Sequence, residues 1–163
     1  MSDTIVRMAL VGDEDGIMAL LIQNHAENGQ HEFCEPKVRN MVRRALYQQG
    51  GIIGVIGPAS DIRGSICLLI DEVWYSEERQ ILELWNYVRQ DSRKSDYAKK
   101  MIEFAKKCAD GLELDLTIGV LSDKRMEAKV KLYQRQLPKA GEFFVHHGKK
   151  ERFLPVEVTG ELH

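Results

Sequence analysis

Gln80-Ile81-Leu82-Glu83-Leu84-Trp85-Asn86-Tyr87-Val88 is followed by Arg89-Gln90-Asp91-Ser92-Arg93-Lys94-Ser95-Asp96-Tyr97 and then by Ala98-Lys99-Lys100-Met101-Ile102. The first run is short, apolar and rich in β-formers, so it predicts a strand over 80–88. Beyond the polar link, Ala98, Met101, Ile102, Ala105, Cys108 and Ala109 recur at helical spacing, with Lys99, Lys100, Glu103, Lys106 and Lys107 on the opposite side. That pattern predicts an amphipathic helix with its start near Ser95. A helix start exposes unpaired N–H groups and the positive end of the dipole, so Arg93, Lys94, Lys99 and Lys100 are mildly unfavourable there. An anion bound at that end accounts for them; on pattern alone, a solvated basic loop accounts for them equally well. Ser95 and Asp96 are both able to cap the same helix.

The pattern extends outward from this junction. Downstream, Asp110-Gly111 predicts a helix stop, and Leu112, Leu114, Leu116, Ile118 and Val120 alternate with polar residues as in a strand. A last helix is expected from about Arg125 to Leu137, ended by Pro138, and a closing hairpin over Glu142–His146 and Arg152–Val158. Upstream, 62–70 and 51–57 read as strands separated by the turn Pro58-Ala59-Ser60-Asp61. Before them come a strand over 4–11, a helix carrying Ile17, Leu20 and Leu21, a polar loop from His25 to Pro36, and a helix carrying Val38, Met41, Val42, Ala45 and Leu46. The order is β-α-α-β-β-β-α-β-α-β-β. Short links between the middle strands imply an antiparallel meander, and the later β-α-β unit adds a crossover. The fold class is therefore α/β (an α+β mixed sheet), with a central mixed sheet flanked by helices.

The chain has 163 residues, 44% hydrophobic and 29% charged, and a formal net charge of −2. That length suits a single domain over 1–163. The near-neutral balance argues against broad attraction to nucleic acid or a membrane surface, although Arg39, Arg43 and Arg44 cluster on one helix. The start of the chain lacks the pattern of a signal peptide, so a cytoplasmic location is expected. Cys34, Cys67 and Cys108 are odd in number and widely spaced, which predicts buried thiols rather than disulfides. No metal site is expected, because His146 and His147 lack a partner at i, i+4 and a nearby cysteine.

The junction resembles the GNAT superfamily of acetyl-CoA-dependent N-acetyltransferases. The element order is similar, and the family's signature (Gln/Arg)-x-x-Gly-x-(Gly/Ala) looks like the run from Arg93 to Ala98, five residues after the apolar Val88. Asp96 stands where the signature has glycine; a carboxyl-bearing residue fits there with negative φ. Leu132-Tyr133-Gln134-Arg135 resembles the family's Leu-Tyr-x-(Lys/Arg) segment. The resemblance implies acetyl-CoA as cosubstrate. Tyr87 and Val88 at the strand end, together with Arg93, Lys94, Ser95, Asp96, Tyr97 and Ala98, are then its expected binding residues. It also implies Tyr133 as general acid toward the CoA sulfur; on pattern alone Tyr133 reads as a core aromatic.

Glu83, an acid inside an apolar strand, must face a cleft or a partner and is the candidate base, with a salt-bridged glutamate as the alternative. His25 and His31 lie where the family shapes its acceptor site, with solvated loop histidines as the alternative, and Glu27, Glu32 and Glu35 nearby suggest a cationic amine, which a solvated acidic loop explains equally well. The expected partners are an amine, either a small molecule or a peptide, and a second copy in a homodimer. A non-catalytic protein of this fold, binding CoA or a partner protein, is the alternative.

Overall fold

Sequence periodicity gives way to three-dimensional order in the computed structural model, which describes residues 4–120 and 126–148. The elements are β1 (Arg7–Met8), α1 (Glu14–Asn28), α2 (Glu35–Leu46), β2 (Gly51–Ile56), β3 (Gly64–Glu72), β4 (Arg79–Val88), α3 (Tyr97–Leu112), β5 (Leu116–Thr117) and α4 (Met126–Gln134). The sheet order is β1-β2-β3-β4-β5; every pair is antiparallel except β4–β5, which α3 makes parallel by crossing over.

Each helix buries the stripe that its sequence displays. Ile17, Met18, Leu20 and Leu21 of α1 join Val42, Ala45 and Leu46 of α2 against one face of the sheet. On the other face, Tyr97, Met101, Ala105 and Ala109 of α3 pack on Ile56, Ile66, Leu68 and Ile81. The helices of α1–α2 and α3 thus cover opposite faces, as the mixed-sheet reading requires.

One extra residue in β4 decides how that strand serves both faces. Its register with β3 runs Leu68↔Glu83 and then Cys67↔Trp85, leaving Leu84 bulged. In a regular strand Ile81 and Trp85 would share a face. Here Ile81 lies in the α3-side core, whereas Trp85 and Tyr87 pack on the α1–α2 side. Bulges bend a strand and disturb its ladder. Beside this one, β5 pairs with β4 only at Ile81↔Leu116 and Leu82↔Thr117.

Several expectations are corrected. The strand predicted over 4–11 pairs only at Arg7–Met8, because Val11–Asp13 turns into a 3-10 helix. Buried Asp13 fastens that turn, with both carboxylate oxygens 2.8 Å from the Arg7 guanidinium. The loop predicted from His25 is helical as far as Asn28. Asp110-Gly111 does not stop α3, which ends at Leu112 with Glu113 in the left-handed region (φ 54°) and the Leu114 N–H bonded to the Ala109 carbonyl. The strand expected over 112–120 shrinks to Leu116–Thr117, although Leu114, Leu116 and Ile118 do turn together onto the α3-side core. Residues 142–146 form no strand, Cys34 is exposed rather than buried, and the hairpin arm Arg152–Val158 lies outside the described residues. Arg39 and Arg43 of the basic helix are paired with Glu14.

The last turn of α1 is tied to the link after β4. Glu27, whose side chain is only 7% exposed, accepts from Arg93 at 2.6 Å, Tyr87 Oη at 3.0 Å and Gln90 at 3.1 Å. The Arg93 guanidinium beside it holds the Glu27 carboxyl down at about 2. A carboxyl that binds protons less readily folded than unfolded stabilises fully above its ordinary value, and that contribution is lost as pH falls toward 2. Removing one partner leaves the other charge buried, whereas removing both does not. Arg93→Met should therefore cost about 3 kcal/mol in denaturant unfolding at neutral pH, and Arg93→Met/Glu27→Met less than half of that. A double variant as unstable as the single would show that the pair is not what holds this joint.

Candidate functional site

The second half of β4 borders an opening that β5 does not fill. Asn86, Tyr87 and Val88 on one side meet Leu132 and Tyr133 of α4 on the other, and Ser95 and Ala98 close the end, around a cavity of about 120 Å³. A second cavity of about 620 Å³ lies toward α1 and α2 and has Glu83, Trp85, Phe33 and Met41 in its wall. Asn28, Asn86, Lys129 and Tyr133 line both, so the two spaces meet at these side chains.

Two ionisable groups stand at this meeting point. Glu83 Oε2 is buried and has no hydrogen-bond partner, and burial pushes the carboxyl up to about 8 against the opposing charge of Lys129. Buried Tyr133 accepts a hydrogen bond from Asn86 Nδ2 at 3.2 Å. Burial, and then the negative charge of Glu83, raise the Tyr133 hydroxyl well above its ordinary value. Since Asn86 donates to the phenol oxygen, the phenol proton is left to point elsewhere.

At the start of α3, Asp96 has φ −90°, so no left-handed backbone is needed where the signature carries glycine. Its carboxylate does not cap the helix but pairs with Lys100 Nζ at 3.1 Å. The amides of Lys94, Asp96, Ala98 and Lys99 have no acceptor among the described residues, whereas the Tyr97 amide donates to Ser95 Oγ at 3.3 Å. Such a group of free amides at the positive end of a helix can hold an anion.

The sequence-predicted residues separate into four places. Tyr87, Val88, Arg93, Ser95, Ala98 and Tyr133 line the smaller cavity, and Glu83 lines the larger. Lys94 and Asp96 are exposed at the helix start, and the Tyr97 ring is buried in the α3-side core. The cations do not converge as expected. Arg93 turns its guanidinium to Glu27 and the Val88 carbonyl, and Lys100 turns to Asp96 and the Thr4 carbonyl.

The histidines divide as well. His25 lines the larger cavity with its ring 5.1 Å from that of Phe33, and its Nε2 is 2.6 Å from the carbonyl of exposed His31. Glu27 belongs to the joint described above and not to the larger cavity. Asn86 escaped the sequence reading, although a polar side chain within an apolar strand is the same signal that marked Glu83. Among the described residues, no three His, Cys, Asp or Glu side chains are grouped to hold a metal, and no helix is long and apolar enough to cross a membrane.

Neither a protein-family profile nor a curated protein sequence matches the chain. Solved structures do match over most of its length. A predicted acetyltransferase from Clostridium acetobutylicum, determined with acetyl-CoA, has a TM-score of 0.70 at 10% identity, covering 88% of this chain and 94% of the other. An aminoglycoside acetyltransferase from an uncultured soil metagenomic sample has a TM-score of 0.67 at 17% identity, covering 90% and 95%. A ribosomal-protein-alanine N-acetyltransferase from Brucella melitensis biovar Abortus has a TM-score of 0.66 at 14% identity, covering 88% and 98%. The likeness at these identities is one of fold, and with its mixed sheet and flanking helices the chain has the fold of the GNAT-type acetyltransferases.

Proposed function

We propose that the protein is an N-acetyltransferase that moves the acetyl group of acetyl-CoA to an amine. The observation that carries this reading is the meeting of two cavities at Asn86 and Tyr133, with the unpartnered Glu83 oxygen buried beside them. One space suits an extended thioester arm and the other an acceptor. That a neighbour in fold acts on a ribosomal-protein alanine as an N-acetyltransferase supports an amine as acceptor.

The chain's residues fit acetyl-CoA at the start of α3. The amides of Lys94, Asp96, Ala98 and Lys99 would hold its diphosphate, while Val88, Ala98 and Leu132 offer apolar surface to its arm. Acetyl-CoA supplies an acyl group already activated as a thioester. Glu83 takes the proton that an ammonium must lose before its nitrogen can attack. With its carboxyl near 8, Glu83 is a stronger base than an ordinary glutamate and is poised close to neutral pH. Tyr133 stays protonated over the same range and returns a proton to the departing sulfur. Asn86 holds the phenol oxygen so that its proton is directed away from the amide.

Three measurements test this reading. Calorimetry with acetyl-CoA should show binding, and its absence at millimolar ligand would remove the enzyme reading. Tyr133→Phe should lower kcat by about 10²-fold or more without changing the affinity for acetyl-CoA. An unchanged kcat would take Tyr133 out of the reaction. Glu83 is protonated below its raised value and a free base above it. In the native enzyme kcat/KM should therefore climb between about pH 6 and 9, with an inflection that Glu83→Gln abolishes. An identical profile in Glu83→Gln would assign the inflection to another group.

A further inference from the structure

The larger cavity carries information about what it accepts. This inference rests on the acetyltransferase reading and goes beyond it to the class of acceptor. Its wall is largely apolar: Leu21, Phe33, Val38, Met41, Trp85 and Phe143 come from five separate parts of the chain. Its volume, about 620 Å³, is that of a pocket for a small organic molecule.

The charges of the wall are unlike those of a site for polycations. Glu83 is the one carboxyl among the described lining residues, and it is the group proposed to receive the proton. The acids that precede α2 in sequence do not add to it. Glu27 is bound to Arg93, Glu35 is bound to Arg39 at 3.1 Å, and Glu32 is exposed outside the lining. Against this single acid the wall sets two lysines, Lys37 near the start of α2 and Lys129 on α4. Lys37 is exposed and has no ion-pair partner among the described residues. Among the described lining residues a ligand with several ammonium groups meets one carboxyl and two like charges, and like charges are costly at close range. A ligand with an apolar body, one amine and one carboxylate suits the described wall: its amine would meet Glu83, its body the aromatic and aliphatic side chains, and its carboxylate a lysine, of which Lys37 has no ion-pair partner among the described residues.

We infer that the acceptor is a small apolar or aromatic monoamine bearing a carboxylate, of the kind represented by phenylalanine or leucine, taken in preference to aminoglycosides and polyamines.

The test separates this inference from the reading on which it rests by measuring binding and transfer independently. Calorimetry on the full chain without acetyl-CoA would compare phenylalanine, leucine, phenethylamine, spermidine and kanamycin. Release of CoA from acetyl-CoA would then be followed with the same amines. Phenylalanine or leucine should bind at least about tenfold more tightly than spermidine or kanamycin. Phenethylamine, which lacks only the carboxylate, should bind about tenfold more weakly than phenylalanine.

The charge reversal Lys37→Glu lies at an exposed position, and circular dichroism would confirm its fold. It should erase the preference for phenylalanine over phenethylamine by raising KM for phenylalanine, while the affinity for acetyl-CoA stays as it was. Tighter binding or faster acetylation of spermidine or kanamycin overturns the inference. So does an unchanged phenylalanine preference in Lys37→Glu, or the absence of binding by every amine. If phenylalanine binds with the expected dependence on Lys37 but no CoA is released, the inference about the cavity stands and the transferase reading falls.

Discussion

The single extra residue at Leu84 is the constraint from which the rest of the site follows. A regular β4 would show one face to α3 and the other to α1 and α2 along its whole length. The bulge instead reverses the facing of the strand midway, so Ile81 packs with α3 and Trp85 and Tyr87 pack with α1 and α2. It lies two residues beyond the last β4–β5 pair, where the parallel ladder ends. The space beside Glu83–Val88 is therefore part of the sheet's own geometry, and α4 supplies its far wall with Leu132 and Tyr133.

An opening of this kind concentrates buried polar groups where a sheet would otherwise pair them away. Glu83 sits next to the bulge with an oxygen that no protein group satisfies, an arrangement that costs stability in a core and is retained at reactive centres. Asn86 donates to the Tyr133 phenol oxygen across the gap. Burial pushes both titrating groups toward the neutral, protonated form, by different amounts relative to working pH. A glutamate near 8 can accept a proton at working pH, whereas a tyrosine raised above its usual value keeps its own.

The sequence revealed the periodic features and concealed the local ones. The stripes of α1, α2 and α3 and the apolar runs of β2, β3 and β4 were legible because burial repeats with the geometry of each element. The alternation from Leu112 to Val120 told that Leu114, Leu116 and Ile118 turn inward, but it could not tell that Leu112 ends α3 exposed or that hydrogen bonding to β4 is confined to residues 115–117. The bulge leaves no mark in composition, since Leu84 looks like any other residue of an apolar strand. Glu83 was legible because an acid in such a strand demands a reason. Arg93 was only partly legible: its guanidinium is answered from within the chain by Glu27, 66 positions earlier, which no local pattern announces.

The joint between Glu27 and Arg93 also divides the wall of the larger cavity into a fixed part and a variable one. Up to Asn28 the α1 side of that wall is anchored to β4, and a change there disturbs a buried charge. From Gly29 to Cys34, by contrast, the chain crosses between α1 and α2 as irregular backbone, and that stretch delivers Phe33 to the cavity without sharing in the anchor. On the proposed reading, selection can therefore rewrite the identity of the guest molecule through this short span without touching the groups proposed to handle protons.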